Sequence, residues 1–323
     1  VSQNSLLDCL NHFQSVVERR NPIPILSNIK IISENNNLQI SATDLAMELT
    51  EKLDAKVSEK GGITVPSQLF FDIVRKAPNN SEITLKKDKK TDQLYVFFGK
   101  SKFSLSTLPV DDFPEMDEEN LNFSLELDSK EFSSLIDKCK FCMGVDESRQ
   151  YLNGIYFHIS GETISTVATD GHRLSKCIST QLSDQSFEGI IIPKKTVFEI
   201  SKILEEFDKK IKISFSKTRL KIVMGDIKVV SKLINSSFPD YESVIPKDND
   251  QIMIVDCKSF SETIDRVSTI SNEKFRTVKF DISNNTCVVS SFGNDKSIGT
   301  ESVSVEFSGS EISINFKNGD PIG

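Results

Sequence analysis

The 323-residue chain is 37% hydrophobic and 27% charged, with 14 Gly and 10 Pro, which excludes extensive disorder and leaves room for two or three domains of ordinary size. Lys and Arg number 39 against 47 Asp and Glu, and the net charge of −8 excludes a simple basic nucleic-acid binder while permitting a basic surface on one face. No apolar run reaches the ~18 residues of a membrane span, Val1 to Leu10 lacks the layout of a secretory signal, and Cys9, Cys139, Cys142, Cys177, Cys257 and Cys287 show no framework spacing, so a cytoplasmic protein with reduced thiols is expected.

In chain order, an amphipathic helix is expected over Ser5 to Val17, followed by alternating strands such as Leu38 to Ala42. A second helix runs from Pro66 to Lys76, with its proline in the first turn, where a missing N–H costs nothing. Strands from Leu94 to Thr107 close the set, and a polar stretch, Glu115 to Asn122, follows. The series then starts again. A helix over Ser129 to Met143 carries Phe132, Leu135, Ile136 and Cys139 at helical spacing. The strand Thr163 to Ala168, the helix Pro193 to Phe207 and strands over Leu220 to Ile234 complete the second series. After the polar Pro246 to Gln251, a third opening helix is expected over Lys258 to Ile270.

The recurrence is also visible residue by residue. Leu26, Ile29, Ile31, Ala42, Thr43 and Asp44 reappear 126 positions later as Leu152, Ile155, Phe157, Ala168, Thr169 and Asp170. Val65-Pro66 recurs as Ile192-Pro193, and Phe113-Pro114-Glu115 as Phe238-Pro239-Asp240. Phe132, Ile136 and Asp137 reappear as Phe260, Ile264 and Asp265, and Phe157 to Ser160 is echoed by Phe280 to Ser283 at a shorter offset, so the loop after the opening helix is longer in copy two. A period this long makes the repeating unit a whole domain. Boundaries are placed at 1–120, 121–247 and 248–323, and the third copy is short at its C-terminal end.

Candidate chemistry is sparse. Asp170, His172 and Ser175 invite a hydrolase reading, but there is no Gly-x-Ser-x-Gly elbow and the chain has three His. Gly99-Lys100-Ser101 resembles the end of a phosphate-binding loop, yet Leu94 stands where the first glycine would be, and a strand-to-strand turn is expected. Cys139 and Cys142 lie on an amphipathic helix without a second Cys pair at zinc spacing, which points to burial on the helix face. Ala-Thr-Asp in copies one and two assigns Asp44 and Asp170 to a shared turn. Copy two alone continues with Gly171-His172-Arg173-Leu174 where copy one has Leu45-Ala46-Met47-Glu48. His172 taken by itself reads as a structural histidine. Arg19, Arg20, Arg75, Lys76, Lys130, Lys138, Lys140, Lys194, Lys195, Lys202, Arg266 and Lys274 lie on or beside the helices, and by themselves read as solvated helix faces with i,i+4 pairs.

Several stretches resemble the β subunit of bacterial DNA polymerase III, the sliding clamp: Pro24-Ile25-Leu26-Ser27-Asn28, Phe103 to Pro109, Tyr151-Leu152-Asn153-Gly154, Thr166 to Leu174, Phe238-Pro239-Asp240-Tyr241 and Ser271 to Arg276. They run in family order through all three copies. The resemblance implies an α+β fold of three tandem DNA-clamp domains, helices on one side and antiparallel sheets on the other, closing head to tail as a ring dimer. It implies a processivity factor that encircles double-stranded DNA without sequence preference, with no catalysis, cofactor, metal or membrane contact. The partners implied are the DNA polymerase III alpha subunit, the clamp loader, other clamp-binding-motif proteins of replication and repair, and a second copy of the chain.

The resemblance assigns DNA contact to Arg20, Arg149, Gln150, Tyr151, Lys194 and Lys195. Leu152, Thr169, Gly171, His172, Arg173, Leu174, Pro239 and Val244 would line a peptide-binding cleft between copies two and three, with Gly171 admitting the peptide backbone. Phe103 and Leu105 would meet Thr269 and Ile270 across the dimer interface. The family's Met-Pro-Met-Arg-like tail does not occur, so part of the cleft is expected to fall outside this sequence. A non-ring protein-interaction scaffold and a hydrolase around His172 are the rival readings.

Overall fold

The computed structural model describes residues 1–18, 22–88, 91–118, 121–182, 187–270, 277–293 and 296–317. The first series comprises α1 (Gln3–Phe13), β1 (Asn28–Glu34), β2 (Asn37–Thr43), β3 (Met47–Asp54), β4 (Gly61–Pro66), α2 (Ser67–Lys76), β5 (Thr84–Asp88), β6 (Gln93–Phe98) and β7 (Ser101–Ser106). The second comprises β8 (Phe123–Asp128), α3 (Ser129–Lys140), β9 (Gly154–Ser160), β10 (Thr163–Thr169), β11 (Leu174–Leu182), β12 (Phe187–Pro193), α4 (Lys194–Glu205), β13 (Lys210–Phe215), β14 (Arg219–Met224) and β15 (Ile227–Lys232). The third holds β16 (Met253–Ile254), α5 (Cys257–Ser268), β17 (Thr277–Ser283), β18 (Thr286–Phe292), β19 (Ile298–Ser304), β20 (Glu306–Phe307) and β21 (Ile312–Lys317).

The helix over Ser129 starts where the sequence places it, and the other helix starts shift by one or two residues. Ser2 caps α1 through its hydroxyl, which accepts the Ser5 N–H at 3.2 Å, so α1 begins at Gln3 and ends at Phe13 rather than running to Val17. Pro66 and Pro193 are not in the first turns of α2 and α4 but cap them, and each is also the last residue of the preceding strand. The reason is backbone geometry: both prolines keep extended ψ angles, 115° and 147°, that complete a strand pairing before the helix begins.

Two compact units divide the chain, Val1–Phe238 and Pro239–Gly323. In the first unit, copies one and two share one eight-stranded antiparallel sheet of order β4-β1-β2-β3-β15-β14-β13-β8. The joint is the pairing of β3 with β15, from Glu51 opposite Ile227 to Met47 opposite Ser231. It is extended at both ends, by Lys52 N–H on the Asp226 carbonyl (3.1 Å) and Lys232 N–H on the Ala46 carbonyl (2.8 Å). Two smaller sheets, β11-β10-β9-β12 and β5-β6-β7, complete the unit, and its core runs through both copies, with Phe13 and Phe70 filling copy one and Phe132, Phe157 and Phe215 copy two.

In the second unit a sheet of order β19-β18-β17-β21 repeats the register of the earlier copies. Phe280 stands opposite Ile314 as Ile31 stands opposite Ile63 and Phe157 opposite Ile190. Ile63 and Ile190 are buried on strands that α2 and α4 contact, whereas Ile314 and Phe316 are 42% and 40% exposed, and no second helix follows β21 among the described residues.

Polar contacts reinforce the joint inside the first unit. Glu118 binds both Lys221 (2.6 Å) and Lys228. Lys195 Nζ reaches Asp44 Oδ2 at 2.5 Å, and the Ser15 hydroxyl donates to Glu199. His12 of α1 sits between copies: Nδ1 lies 2.7 Å from Glu51 Oε2 of β3 and Nε2 3.9 Å from Glu206 Oε2, just past α4. The hydrogen bond to Glu51 raises its pKa above 6.5 despite the opposing effect of burial, and the Glu51 and Glu206 charges add to the rise. A histidine whose folded pKa is raised stabilises the fold fully below its unfolded pKa, and that stabilisation is lost as pH rises through the folded value. Denaturant titrations should therefore show stability falling as pH climbs above 6.5, and His12→Ala should cost about 1–3 kcal/mol at low pH and flatten that part of the profile.

Candidate functional site

The Ala-Thr-Asp turns of copies one and two use the same hydrogen bonds. Asp44 Oδ1 accepts the N–H groups of Ala46 (2.9 Å) and Met47 (2.7 Å), and Asp170 Oδ1 accepts those of His172 (2.9 Å) and Arg173 (3.1 Å). The Thr43 hydroxyl donates to the Met47 carbonyl and accepts the Leu45 N–H, and the Thr169 hydroxyl does the same with Arg173 and Gly171. The shared-turn expectation for Asp44 and Asp170 is thus met.

The difference lies at the residue with positive φ. Leu45 adopts φ 71° in copy one and Gly171 φ 90° in copy two. Left-handed backbone of this kind favours glycine, and copy one carries a leucine in it all the same. The Arg149 side chain reaches this turn: a Cβ on Gly171 would stand 2.8 Å from its Nη1, the mobile end of a long side chain. The end of this guanidinium therefore lies close to the glycine that the sequence reading gave to the approach of a peptide backbone.

Arg173 completes the turn, donating from Nε to Asp170 Oδ2 at 3.0 Å and placing its guanidinium 5.8 Å from the Phe141 ring centroid. Burial pushes the Asp170 carboxyl upward, but the two backbone N–H groups and Arg173 outweigh it and hold the pKa below the ordinary value. Leu152 is buried, Leu174 is half-buried at the start of β11 opposite Thr169, and Gly171 and His172 are exposed. Pro239 and Val244 belong to the second unit, where both are exposed and the Val244 N–H donates to the Tyr241 carbonyl.

Arg149, Gln150 and Tyr151 lie in a 3-10 segment, Glu147–Leu152, with a kink at Arg149 (φ −118°, ψ 55°). Asp146 organises it by accepting the Ser148 N–H (2.8 Å), the Ser148 hydroxyl (2.7 Å) and Arg149 Nε (2.9 Å). These donors hold its carboxyl at a pKa of about 2. The Asn153 carbonyl accepts the Lys194 N–H at 3.0 Å, so the segment and the start of α4 form one surface with Lys194 on it. Lys195 differs: its ammonium is engaged by Asp44 in the joint between copies. Arg20, with Arg19 and the Ser271 to Arg276 stretch that includes Lys274, lies outside the described residues.

Phe103 is 38% exposed on β7, an edge strand, and stacks on Phe98 at 5.4 Å, whereas Leu105 is buried in the core of its own unit. Thr269 caps the end of α5 and is exposed, and Ile270 is half-buried beside Gly299. Several helix charges form local pairs, at i,i+3 rather than the expected i,i+4: Arg75 with Asp72 (2.7 Å), Lys140 with Asp137 (2.7 Å) and Lys202 with Glu199 (3.3 Å); Arg266 is held by Glu301 of β19 (2.6 Å) more closely than by Glu262 four residues before it (3.8 Å). Gly99 and Lys100 form the turn between β6 and β7, with Ser101 opening β7, and Cys139 and Cys142 are buried thiols. Among the described residues no His, Cys, Asp and Glu cluster is arranged to hold a metal ion. Sequence reasoning missed Asp146, whose Asp-x-Ser spacing signals a turn cap, and Phe141, for which no local signal exists.

The chain matches three family models in order: the N-terminal domain of the DNA polymerase III β subunit over residues 1–117, the central domain over 126–240 and the C-terminal domain over 242–318. It is 37% identical over 321 residues to the β sliding clamp of Caulobacter vibrioides and 32% identical over 317 residues to that of Escherichia coli K12, covering 98% of this chain and 86% of each relative. Similar solved structures include a Bartonella birtlesii sliding clamp bound to griselimycin (TM-score 0.92, 37% identity) and a Caulobacter crescentus β sliding clamp (TM-score 0.94, 36% identity), each with 98% of this chain and 86% of the other covered. A turn chemistry shared by copies one and two, a register repeated through all three and these full-order matches lead to one assignment: the chain belongs to the bacterial DNA polymerase III β-subunit family, the β sliding clamps, non-catalytic processivity subunits built of three tandem clamp domains.

Proposed function

We propose that the chain, divided as domains 1–120, 121–247 and 248–323, pairs with a second copy to close a ring around duplex DNA. The ring tethers the DNA polymerase III alpha subunit by topology, in the cytoplasm, and also receives the clamp loader and other clamp-binding-motif proteins of replication and repair. The observation that carries this reading is the ordered match of three clamp domains over nearly the whole chain. The paired helix charges support it, because a surface whose cations are already partnered offers phosphates few free charges and gives weak, sequence-independent contact. Arg20, Arg149, Gln150, Tyr151 and Lys194 supply that contact in this reading, with Lys195 contributing less because Asp44 shares its charge.

The peptide cleft is assigned to Leu152, Thr169, Gly171, His172, Arg173, Leu174, Pro239 and Val244, and the dimer interface to Phe103, Leu105, Thr269 and Ile270. Leu105 supports that interface from within its own core, and Phe103 is the member of the pair exposed at the edge strand. The test of encirclement is topological. Protein loaded on circular duplex DNA should survive a high-salt wash and be released when the circle is cut, and Phe103→Asp should abolish retention and shift sedimentation towards the monomer by burying an unpaired charge.

Partner docking has its own test. Peptide sites gather most of their energy in a few buried anchors, so Leu174→Ala should weaken a clamp-binding peptide by about 1 kcal/mol or more in calorimetric titration. Leu45→Ala, at the equivalent turn of copy one, should leave the affinity unchanged.

A further inference from the structure

Arg149 belongs to the DNA-facing segment by sequence and to the Gly171 turn by contact. Its Nε is held by Asp146 Oδ2 at 2.9 Å, and its Nη1 reaches the Gly171 turn, 2.8 Å from where a Cβ on that glycine would stand. A peptide backbone packing on the Cβ side of that glycine would meet the Arg149 guanidinium. The turn itself favours glycine through its positive φ, and the mobile end of the Arg149 side chain is the neighbour that lies against it.

The anchor is built to release. Arg149 and Asp146 side chains are each 42% exposed, so their ion pair is weakened by solvent and salt. Asp146 keeps two hydrogen bonds to Ser148 when Arg149 leaves, so no carboxylate is orphaned. Arg149 also sits at the kink of its segment, with Gln150 and Tyr151 next in the chain, so its backbone belongs to the segment assigned to phosphates. A phosphodiester offers a guanidinium two acceptor oxygens in a polyanionic field, a stronger pull than one exposed carboxylate.

We propose that Arg149 is a positioning residue shared by the two surfaces: it covers Gly171 while the DNA surface is empty and withdraws when a phosphate takes its guanidinium, so that bound DNA raises the affinity of the peptide cleft. This rests on the DNA and cleft assignments above. Linkage requires the converse as well, with peptide tightening DNA contact by the same factor.

The test titrates a fluorescent peptide carrying the alpha-subunit clamp-binding motif onto the dimeric protein at low salt, with and without a saturating short duplex. The parent should bind the peptide at least about fivefold tighter with DNA. Arg149→Ala should bind it without DNA as tightly as the parent does with DNA, and its response to DNA should vanish. A residue that merely lines the cleft or props the fold would act in the opposite direction, so weaker peptide binding by Arg149→Ala overturns the proposal. An intact DNA response in Arg149→Ala overturns it too. Gln150→Ala is the control: it should lower DNA affinity yet retain the fivefold response once DNA is saturating, and loss of that response would also count against Arg149 as the switch. If the parent binds no peptide in either condition, the cleft assignment itself falls, an outcome separable from the others because they require measurable parent binding.

Discussion

Five residue pairs between β3 and β15 turn two copies of a domain into one body, and most of what distinguishes the first unit follows from them. Once β3 is capped by β15, its buried face, including Glu48 and Thr50, requires internal partners. Glu48 finds them in the Thr50 hydroxyl and the Met116 N–H. The same pairing brings α4 to α1 and sets Lys195 beside Asp44, so a turn acid repeated in both copies acquires a partner from the next domain in copy one and from its own Arg173 in copy two. Identical local chemistry thus ends in a joint at one site and an open turn at the other.

Much of this was legible in the sequence because periodicity and short-range turn chemistry are local. The Thr43-Asp44 and Thr169-Asp170 turns, the opening helices and the Gly99 turn needed only neighbours in the chain. The proline positions were displaced by one residue because a strand ending and a helix beginning compete for the same backbone, and pairing wins. Leu105 and Phe103 look alike in an alternating strand, yet one is core and the other an exposed edge; the difference depends on which cross-strand neighbours cover them.

The site was legible in its members more than in its geometry. Gly171 stood out by comparison with Leu45, but the arginine that lies against it comes from a different segment, over twenty positions upstream. His12 was a lone histidine on a helix until β3 and the end of α4 supplied Glu51 and Glu206. Burial of Lys30 is similar: its ammonium meets Glu115 at 2.5 Å and lies 5.1 Å from the Phe113 ring centroid, a closure by the polar linker that no local pattern announces.

The β3–β15 pairing also sets an order of events during synthesis. β3 is complete at Asp54, but its partner spans Ile227–Lys232, so on a ribosome copy one must wait for almost all of copy two with an open strand edge. Such edges recruit other chains. β3 carries Glu48, Glu51, Lys52 and Asp54, charges that resist pairing with a stranger, and the opposing strand offers Lys228 and Lys232 among its side chains. The same charges that need partners in the finished sheet are thus the ones an unpaired β3 would present along its edge.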